Sequence, residues 1–400
     1  MSKHPDVKEI QLENLRLLLE DTVPFWLKHG VDREQGGFNF FLDRDGSLYG
    51  TDKPVWLHGR IVWLLATMHA EIEARPEWLE LAQHGADFLR KHAFDTDGRM
   101  FFLLDRAGRP LRKRRYVFSE VFASMAFSAL ARVTGDERDL ADAHRLTGLL
   151  ENHLTKPGMI APKWNPETRP SQGLSGPMAS IKAAQAFRAV DTSGLADRFT
   201  DWCIDRIRTY VHDDLHAVLE MTGPNGEFIN TPEGRTLCPG HSMEAGWFVL
   251  EEAVHRNFDP ELIALGCKII DWSWDWGWDE EFGGIIYYRD VLNKPCTEYW
   301  HDMKFWWPQN ETIIAMLFAW KLTGEARYLE LFHKIYDWTM KLFPDPEFGE
   351  WYGYLHRDGR VSTPIKGGCW KGAFHVPRQQ LYLGSTIDLL IGDRTPQPIA

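Results

Sequence analysis

An all-α fold, an (α/α)6 barrel of paired helices with short β-hairpins between the pairs, is what this sequence predicts. Three observations carry that expectation. Amphipathic stretches with apolar residues three and four apart come two at a time, each two joined by a short turn bearing Gly, Pro or Asp. Short aromatic stretches reversing at Asp-Gly or Asn-Gly separate one pair from the next. The unit of roughly 60 residues recurs about six times, as a stacked or closed repeat must, because one helix pair cannot bury its apolar face alone.

The spacing predicts about twelve helices. The first covers roughly 7–28. Pairs follow at 57–73 with 79–92, 118–134 with 138–153, 177–189 with 196–211, 242–256 with 260–276 and 303–322 with 327–342, and a last helix runs near 375–390. The turns inside two pairs rhyme: ARVTGDERDL near 131 matches WKLTGEARYL near 320. Hairpins are expected at GGFNFFLDRDGSLYG, DGRMFFLLDRAGRPL, AVLEMTGPNGEF, FGGIIYYRDVLN and EWYGYLHRDGRVST. An open solenoid would carry polar capping repeats at both ends, whereas the first and last helices here are both apolar enough to need partners. The ring therefore closes, and the starts of its inner helices surround one cavity. No Pro/Ser/Gly-rich linker or long charge run divides the chain, so residues 1–400 read as a single domain.

Composition narrows the function. The start, MSKHPDVKEIQLENLRLLLE, lacks the apolar stretch of a secretory signal, and no window of about 18 apolar residues occurs, so a cytoplasmic, membrane-free protein is expected. Cys203, Cys238, Cys267, Cys296 and Cys369 are scattered without CxxC spacing, which fits a reducing compartment better than disulfides or a zinc site. The net charge of −12 repels nucleic acid and anionic membranes. One basic run, Leu111-Arg112-Lys113-Arg114-Arg115, is either a solvated strand edge or an anion site. The 13% aromatic content, with 18 Trp, is mostly core, but flat rings also grip the apolar faces of sugars. No GxxxxGK[ST], GxGxxG after a strand, or GxSxG occurs, which removes phosphate-loop NTPases, dinucleotide oxidoreductases and nucleophile-elbow hydrolases.

Four segments bear chemistry at inner-helix starts. Cys238-Pro239-Gly240-His241-Ser242-Met243-Glu244 puts His241 and Glu244 on one helix face. Gly372-Ala373-Phe374-His375-Val376-Pro377-Arg378 delivers a second histidine from a Gly-rich loop that also holds Trp370 and Lys371. Two imidazoles facing one cavity suit acid and base work near neutral pH, since their ordinary pKa of about 6.5 populates both forms. Trp306-Trp307-Pro308-Gln309-Asn310-Glu311 places a carboxylate that either sits on the helix dipole or orients a histidine or a hydroxyl. Arg60 opens the first inner helix, as a surface ion-pair partner or as a cation for an oxyanion. His58 and His69 lack metal partners at sensible spacing and read as structural.

Together these segments resemble the N-acylglucosamine 2-epimerase family, also known as renin-binding protein in mammals. The resemblance runs from VWLHGR through SEVFASMA, PGHSMEAGWF, MKFWWPQNET and EWYGYLHRDGRV to IKGGCWKGAFHVPR. It implies an (α/α)6 barrel, commonly a homodimer, that interconverts N-acetylglucosamine and N-acetylmannosamine. On matching positions it implies that His241, His375, Glu311 and Arg60 are catalytic. Glu244, Trp306, Trp307, Gln309, Trp370, Lys371 and Arg378 are expected to contact the sugar. One histidine would take the C2 proton of the open-chain sugar, Arg60 would steady the enediolate, and the other histidine would return a proton to the opposite face. That chemistry requires no metal or redox cofactor.

Two positions depart from relatives. Gln309 stands where mammalian members have His, and Pro177-Met178-Ala179-Ser180 lacks the His carried there by cellobiose epimerases and by mannose and sulfoquinovose isomerases, which favours the N-acylglucosamine branch. Members of that branch take ATP as a non-hydrolysed activator, with the loop from Lys163 through Arg169 to Gly176 a candidate contributor here. The alternatives are an epimerase or aldose-ketose isomerase for unacylated mannose, glucose or cellobiose, a glycoside hydrolase using Glu244 and Glu311, and a non-catalytic binding protein.

Overall fold

The computed structural model describes residues 5–114, 116–394 and 396; Arg115 of the basic run lies outside them. Fourteen helices are described: α1 (Val7–Leu17), α2 (Val23–Gly30), α3 (Val55–Glu71), α4 (Pro76–His92), α5 (Phe118–Thr134), α6 (Glu137–Thr155), α7 (Ser175–Arg188), α8 (Leu195–Arg208), α9 (Pro239–His255), α10 (Pro260–Gly277), α11 (Trp306–Thr323), α12 (Ala326–Leu342), α13 (His375–Leu381) and α14 (Ile387–Ile391). The expected first helix is α1 and α2, joined by a π-turn at Leu18–Thr22. The expected last one is α13 and α14, joined by another at Tyr382–Thr386.

The two members of a pair differ in burial, and this sets the two layers. Helix α3 is buried without a break from Leu57 to Met68, and α11 from Trp306 to Ala319. A helix apolar on all sides must be enclosed. Their partners carry a single buried stripe, Trp78, Leu81, Ala82, Gly85, Ala86, Phe88 and Leu89 in α4, and Tyr328, Phe332, Ile335, Tyr336 and Thr339 in α12. The inner helices α3, α5, α7, α9, α11 and α13 contact one another in turn, and α13 returns to α3, so the ring is closed. Closure joins the two ends of the chain: Gln11 Nε2 donates to Leu383 O at 3.0 Å, and Gln379 Nε2 donates to Asn14 Oδ1 at 2.7 Å. Helices α1 and α2 are thus the outer partner of α13. At Gly59 an added Cβ would lie 2.5 Å from the Phe122 backbone, so only glycine permits the close approach of α3 and α5.

The rhyming turns occupy equivalent places. Gly135 and Gly324 end α5 and α11 with φ of 66° and 71°, and Asp136 and Glu325 take the N-cap positions that follow. Two three-stranded sheets form before α3 and α11, in the orders Lys53–Pro54, Leu103–Leu104, Pro110–Arg112 and Lys304–Phe305, Tyr354–Leu355, Val361–Thr363. Two expected hairpins are corrected. Met221–Thr222 pairs with Gln172–Gly173, and Arg289–Asp290 with Thr236–Leu237, because each aromatic stretch finds its partner in the strand that leads into its own helix pair. The first stretch makes only isolated bridges, Val31 with Phe38 and Leu42 with Leu48.

A three-part clasp recurs at the end where inner helices begin. Asp32 takes Lys53 at 3.0 Å and Arg106 at 2.9 Å; Asp279 takes Lys304 at 2.9 Å and Arg357 at 2.8 Å; Asp345 takes Lys366 at 2.9 Å and Arg44 at 2.8 Å. In each the lysine is fully buried and the arginine lies at the surface, on a hairpin one repeat further along. Burial pushes these carboxyls up, but the Arg and Lys contacts outweigh it and hold all three well below the usual carboxylate range.

His58 and His69 are bonded within the structure: His58 Nδ1 donates to Pro54 O at 2.9 Å, its Nε2 accepts from Phe38 N at 3.0 Å, and His69 Nδ1 lies 2.9 Å from Arg75 O. In the basic run, Lys113 pairs with Asp95 and Asp97, both at 2.6 Å, as a solvated strand edge does. All five cysteines are free. No helix among the described residues is long and apolar enough to cross a membrane.

Candidate active site

Four inner helices present their N-terminal turns to one end of the barrel, and most of the expected site residues lie there. Pro239 sits at the start of α9, where its missing N–H costs nothing, and sets His241 in the first turn with Glu244 one turn below. An added Cβ at Gly240 would lie 2.5 Å from the Trp307 ring, so glycine lets the start of α9 close on α11. His375 is the first residue of α13, and Arg378 follows one turn later.

Trp307 packs beside both imidazoles. Its ring centroid is 5.0 Å from that of His241 and 5.9 Å from that of His375, tilted 34° and 40°. Both histidines are held at Nδ1 by a carboxylate, which leaves Nε2 as the nitrogen available for chemistry. His375 Nδ1 is 2.7 Å from Glu311 Oε1, and the second oxygen of Glu311 accepts from Trp247 Nε1 at 2.9 Å. Arg378 Nη2 donates to Glu244 Oε1 at 2.6 Å, lies 2.7 Å from Glu311 Oε1, and stands 3.4 Å from His375 Nδ1. The 2.7 Å carboxylate contact decides the tautomer: Glu311 accepts, so Nδ1 carries the proton. The acidic cluster already has its cation, since Arg378 occupies the centre of Glu244, Glu311 and His375.

His241 is served differently. Both oxygens of Glu220 lie 3.0 Å from its Nδ1. The Cys238 sulfur, the Glu220 carboxylate and the His241 ring come within 4.8 Å of one another. Sequence reasoning misses Glu220. It follows the short strand Ala217–Val218, where no helical spacing points at it; the available signal was a lone acid in the apolar stretch AVLEMTG.

Arg60 faces the same space from α3. Its guanidinium packs on Trp56 and Phe122 at 4.1 Å and on Phe374 at 4.4 Å, and its buried Nε has no hydrogen-bond partner among the described residues. Burial outweighs the pull of Glu244 and lowers Arg60 to about 9, still cationic at neutral pH. The two histidines are driven in opposite directions. Burial, with the Arg60 and Arg378 cations, pushes His375 well below the ordinary histidine value. Burial also presses His241 down, but Cys238 and Glu220 more than reverse this and leave it well above. Titratable pairs whose surroundings separate them in this way mark acid and base roles.

Two expected sugar contacts, Gln309 and Lys371, are placed otherwise. Gln309 is fully buried and spends its amide on backbone: Oε1 accepts from Ile285 N at 2.7 Å, and Nε2 donates to Ile285 O and Phe305 O at 2.9 and 3.0 Å. Lys371 is buried against Glu350 and also donates to Lys366 O, so its ammonium is spent behind Trp306. Trp370 is 48% exposed at the rim, against Trp56 and Phe102. Trp306 is buried beside His375, with centroids 6.1 Å apart. In the loop proposed for a nucleotide, Arg169 packs on Trp164 and pairs with Glu233 at 3.4 Å. Met178 lies buried in the first turn of α7.

Comparison with known proteins gives three findings. The sequence profile of the N-acylglucosamine 2-epimerase (GlcNAc 2-epimerase) family matches residues 36–376. N-acylglucosamine 2-epimerase of Bos taurus is 37% identical over 94% of this chain and 91% of its own, and that of Homo sapiens is 35% identical over 94% and 90%. The solved structure of cellobiose 2-epimerase from Spirochaeta thermophila superposes with a TM-score of 0.82 at 21% identity, covering 96% of this chain and 98% of that one, which establishes likeness of fold.

Proposed function

The chain belongs to the N-acylglucosamine 2-epimerase family, and from that premise we propose that it interconverts N-acetylglucosamine and N-acetylmannosamine with His241 and His375 as the proton-transferring pair. It is a carbohydrate epimerase. The observation that supports the residue roles is the pair of imidazoles beside Trp307, each held at Nδ1 by a carboxylate. With the sugar ring open, C1 is an aldehyde and the C2 proton is acidic. One histidine, neutral, removes that proton, and the C2–H electron pair moves onto the carbonyl oxygen. Because C2 bears nitrogen, the intermediate is an enolate, whose charge falls to the Arg60 cation. The other histidine, as imidazolium, gives a proton to the opposite face of C2. One C–H bond breaks and one forms at the same carbon, with no change of oxidation state.

Trp370 supports a second reading. A flat ring half exposed at the rim suits a larger or unacylated sugar such as cellobiose or mannose. A hydrolase is disfavoured, because Glu244 and Glu311 are both tied to Arg378 and neither is placed to carry a proton to a leaving group. A homodimeric, cytoplasmic enzyme activated by ATP without hydrolysis belongs to the same proposal.

The test is proton NMR in D₂O with N-acetylmannosamine, mannose or cellobiose, with and without ATP. The expected result is N-acetylglucosamine deuterated at C2, lost in His241→Ala and His375→Ala. Turnover of cellobiose or mannose alone selects the second reading. Exchange in no sugar defeats both.

A further inference from the structure

The two carboxylates that hold the histidines differ in their surroundings. The Glu311 oxygen that meets His375 also lies 2.7 Å from Arg378, and Arg60 faces the same space, so the negative charge beside His375 is cancelled. Glu220 has both oxygens on His241 and, among the described residues, no arginine or lysine ion partner. Building on the two-histidine reading above, we propose that Glu220 is a positioning residue that fixes the polarity of the pair, holding His241 as the Nδ1–H imidazolium so that the free enzyme rests with His241 loaded as acid and His375 empty as base.

The other titratable groups facing His241 are Cys238 at the head of its own helix, Tyr287 from the segment after α10, and His375 from α13. His375 is faced by Glu311 on α11, Glu244 on α9, Arg60 on α3 and Arg378 on its own helix. Glu220 is the carboxylate in this set whose charge no arginine or lysine shares. A kinetic consequence follows. Each turnover moves one proton from the sugar to His375 and one from His241 to the sugar, leaving the pair loaded the wrong way round. Before the same epimer can react again, His375 must release its proton and His241 must regain one. Glu220 makes that return downhill.

The test uses ¹⁵N-histidine spectra of the whole protein without sugar, with His241 assigned by the resonance that His241→Asn removes, beside the pH profile of kcat/KM. In the wild type His241 should titrate above the ordinary histidine value. In Glu220→Gln its titration should fall by about 1–3 pH units, and Glu220→Asp should recover most of that shift. The alkaline limb of kcat/KM, where His241 loses its proton, should move down by the same amount, while the acid limb set by His375 stays. An unmoved His241 titration, or a uniform drop in rate with both limbs in place, would overturn the assignment. The spectra need no turnover, so a protein inactive on every sugar would refute the proposed function and still show whether Glu220 holds the proton on His241.

Discussion

Replacing Arg378 by Met removes a buried cation whose Nη2 stands 3.4 Å from His375 Nδ1. At that distance two unit charges interact by about 5 kcal/mol at an effective dielectric of 20. At 1.36 kcal/mol per unit, this bounds the rise in the His375 pKa at about 3.5 units. Part of it is given back, because Glu244 and Glu311 lose their shared counter-ion and one of them takes up a proton. A rise of about 2 units is the working figure. His375 must be neutral to act as base, and activity is lost as pH falls through its pKa. The acid limb of kcat/KM for N-acetylmannosamine should therefore climb by about 2 units in Arg378→Met, narrowing the active range from below. Arg378→Lys keeps the charge and should leave the limb within about half a unit, although kcat falls with the lost geometry. Circular dichroism of both variants checks that the barrel stands, since unpairing buried carboxylates costs about 3–5 kcal/mol. An acid limb unmoved in a folded Arg378→Met protein would refute the electrostatic account of His375.

Two further outcomes are expected. Arg60→Met should lower kcat by about 10²–10³-fold with little change in thermal stability, because the Nε has no hydrogen-bond partner among the described residues and in the proposed reaction the guanidinium meets the enolate; an effect confined to KM would show that Arg60 only binds. Asp345→Asn should cost about 3–5 kcal/mol in urea denaturation followed by tryptophan fluorescence, against about 1 kcal/mol for Arg44→Ala, whose side chain is 35% exposed, while Lys366 is buried. The Asp345 carboxyl lies below its unfolded value, so its contribution is present above about pH 5 and drains away as pH falls through about 4 and below. The gap between wild type and Asp345→Asn should close over that range.

The helical frame was legible in the sequence because its signals are local. Apolar spacing gave each pair within a few residues, and the TG turns marked where α5 and α11 stop. His241, His375, Glu311 and Arg60 stood out because they open inner helices and the ring brings those openings together. The errors came where function depends on what a loop touches across the barrel. Gln309 and Lys371 lie next to site residues in sequence, but one amide answers the backbone of Ile285 and the other side chain answers Glu350. Glu220 reaches His241 only because Met221–Thr222 pairs with Gln172–Gly173, and Leu237, one residue before Cys238, pairs with Arg289. Strands of two residues carry almost no periodicity, so their partners are fixed by the tertiary structure alone.

The joint between Arg44 and Asp345 brings an early-made hairpin of the barrel against a late-made segment. During synthesis α1 and α2 leave the ribosome long before α13, the helix they must cover, while every other outer helix follows its partner at once. The apolar face that carries Val7, Ile10 and Leu18 therefore waits uncovered while the rest of the chain is translated. The third clasp is also the last whose residues are all made, since it waits for Lys366, and it draws the two halves of the last repeat together.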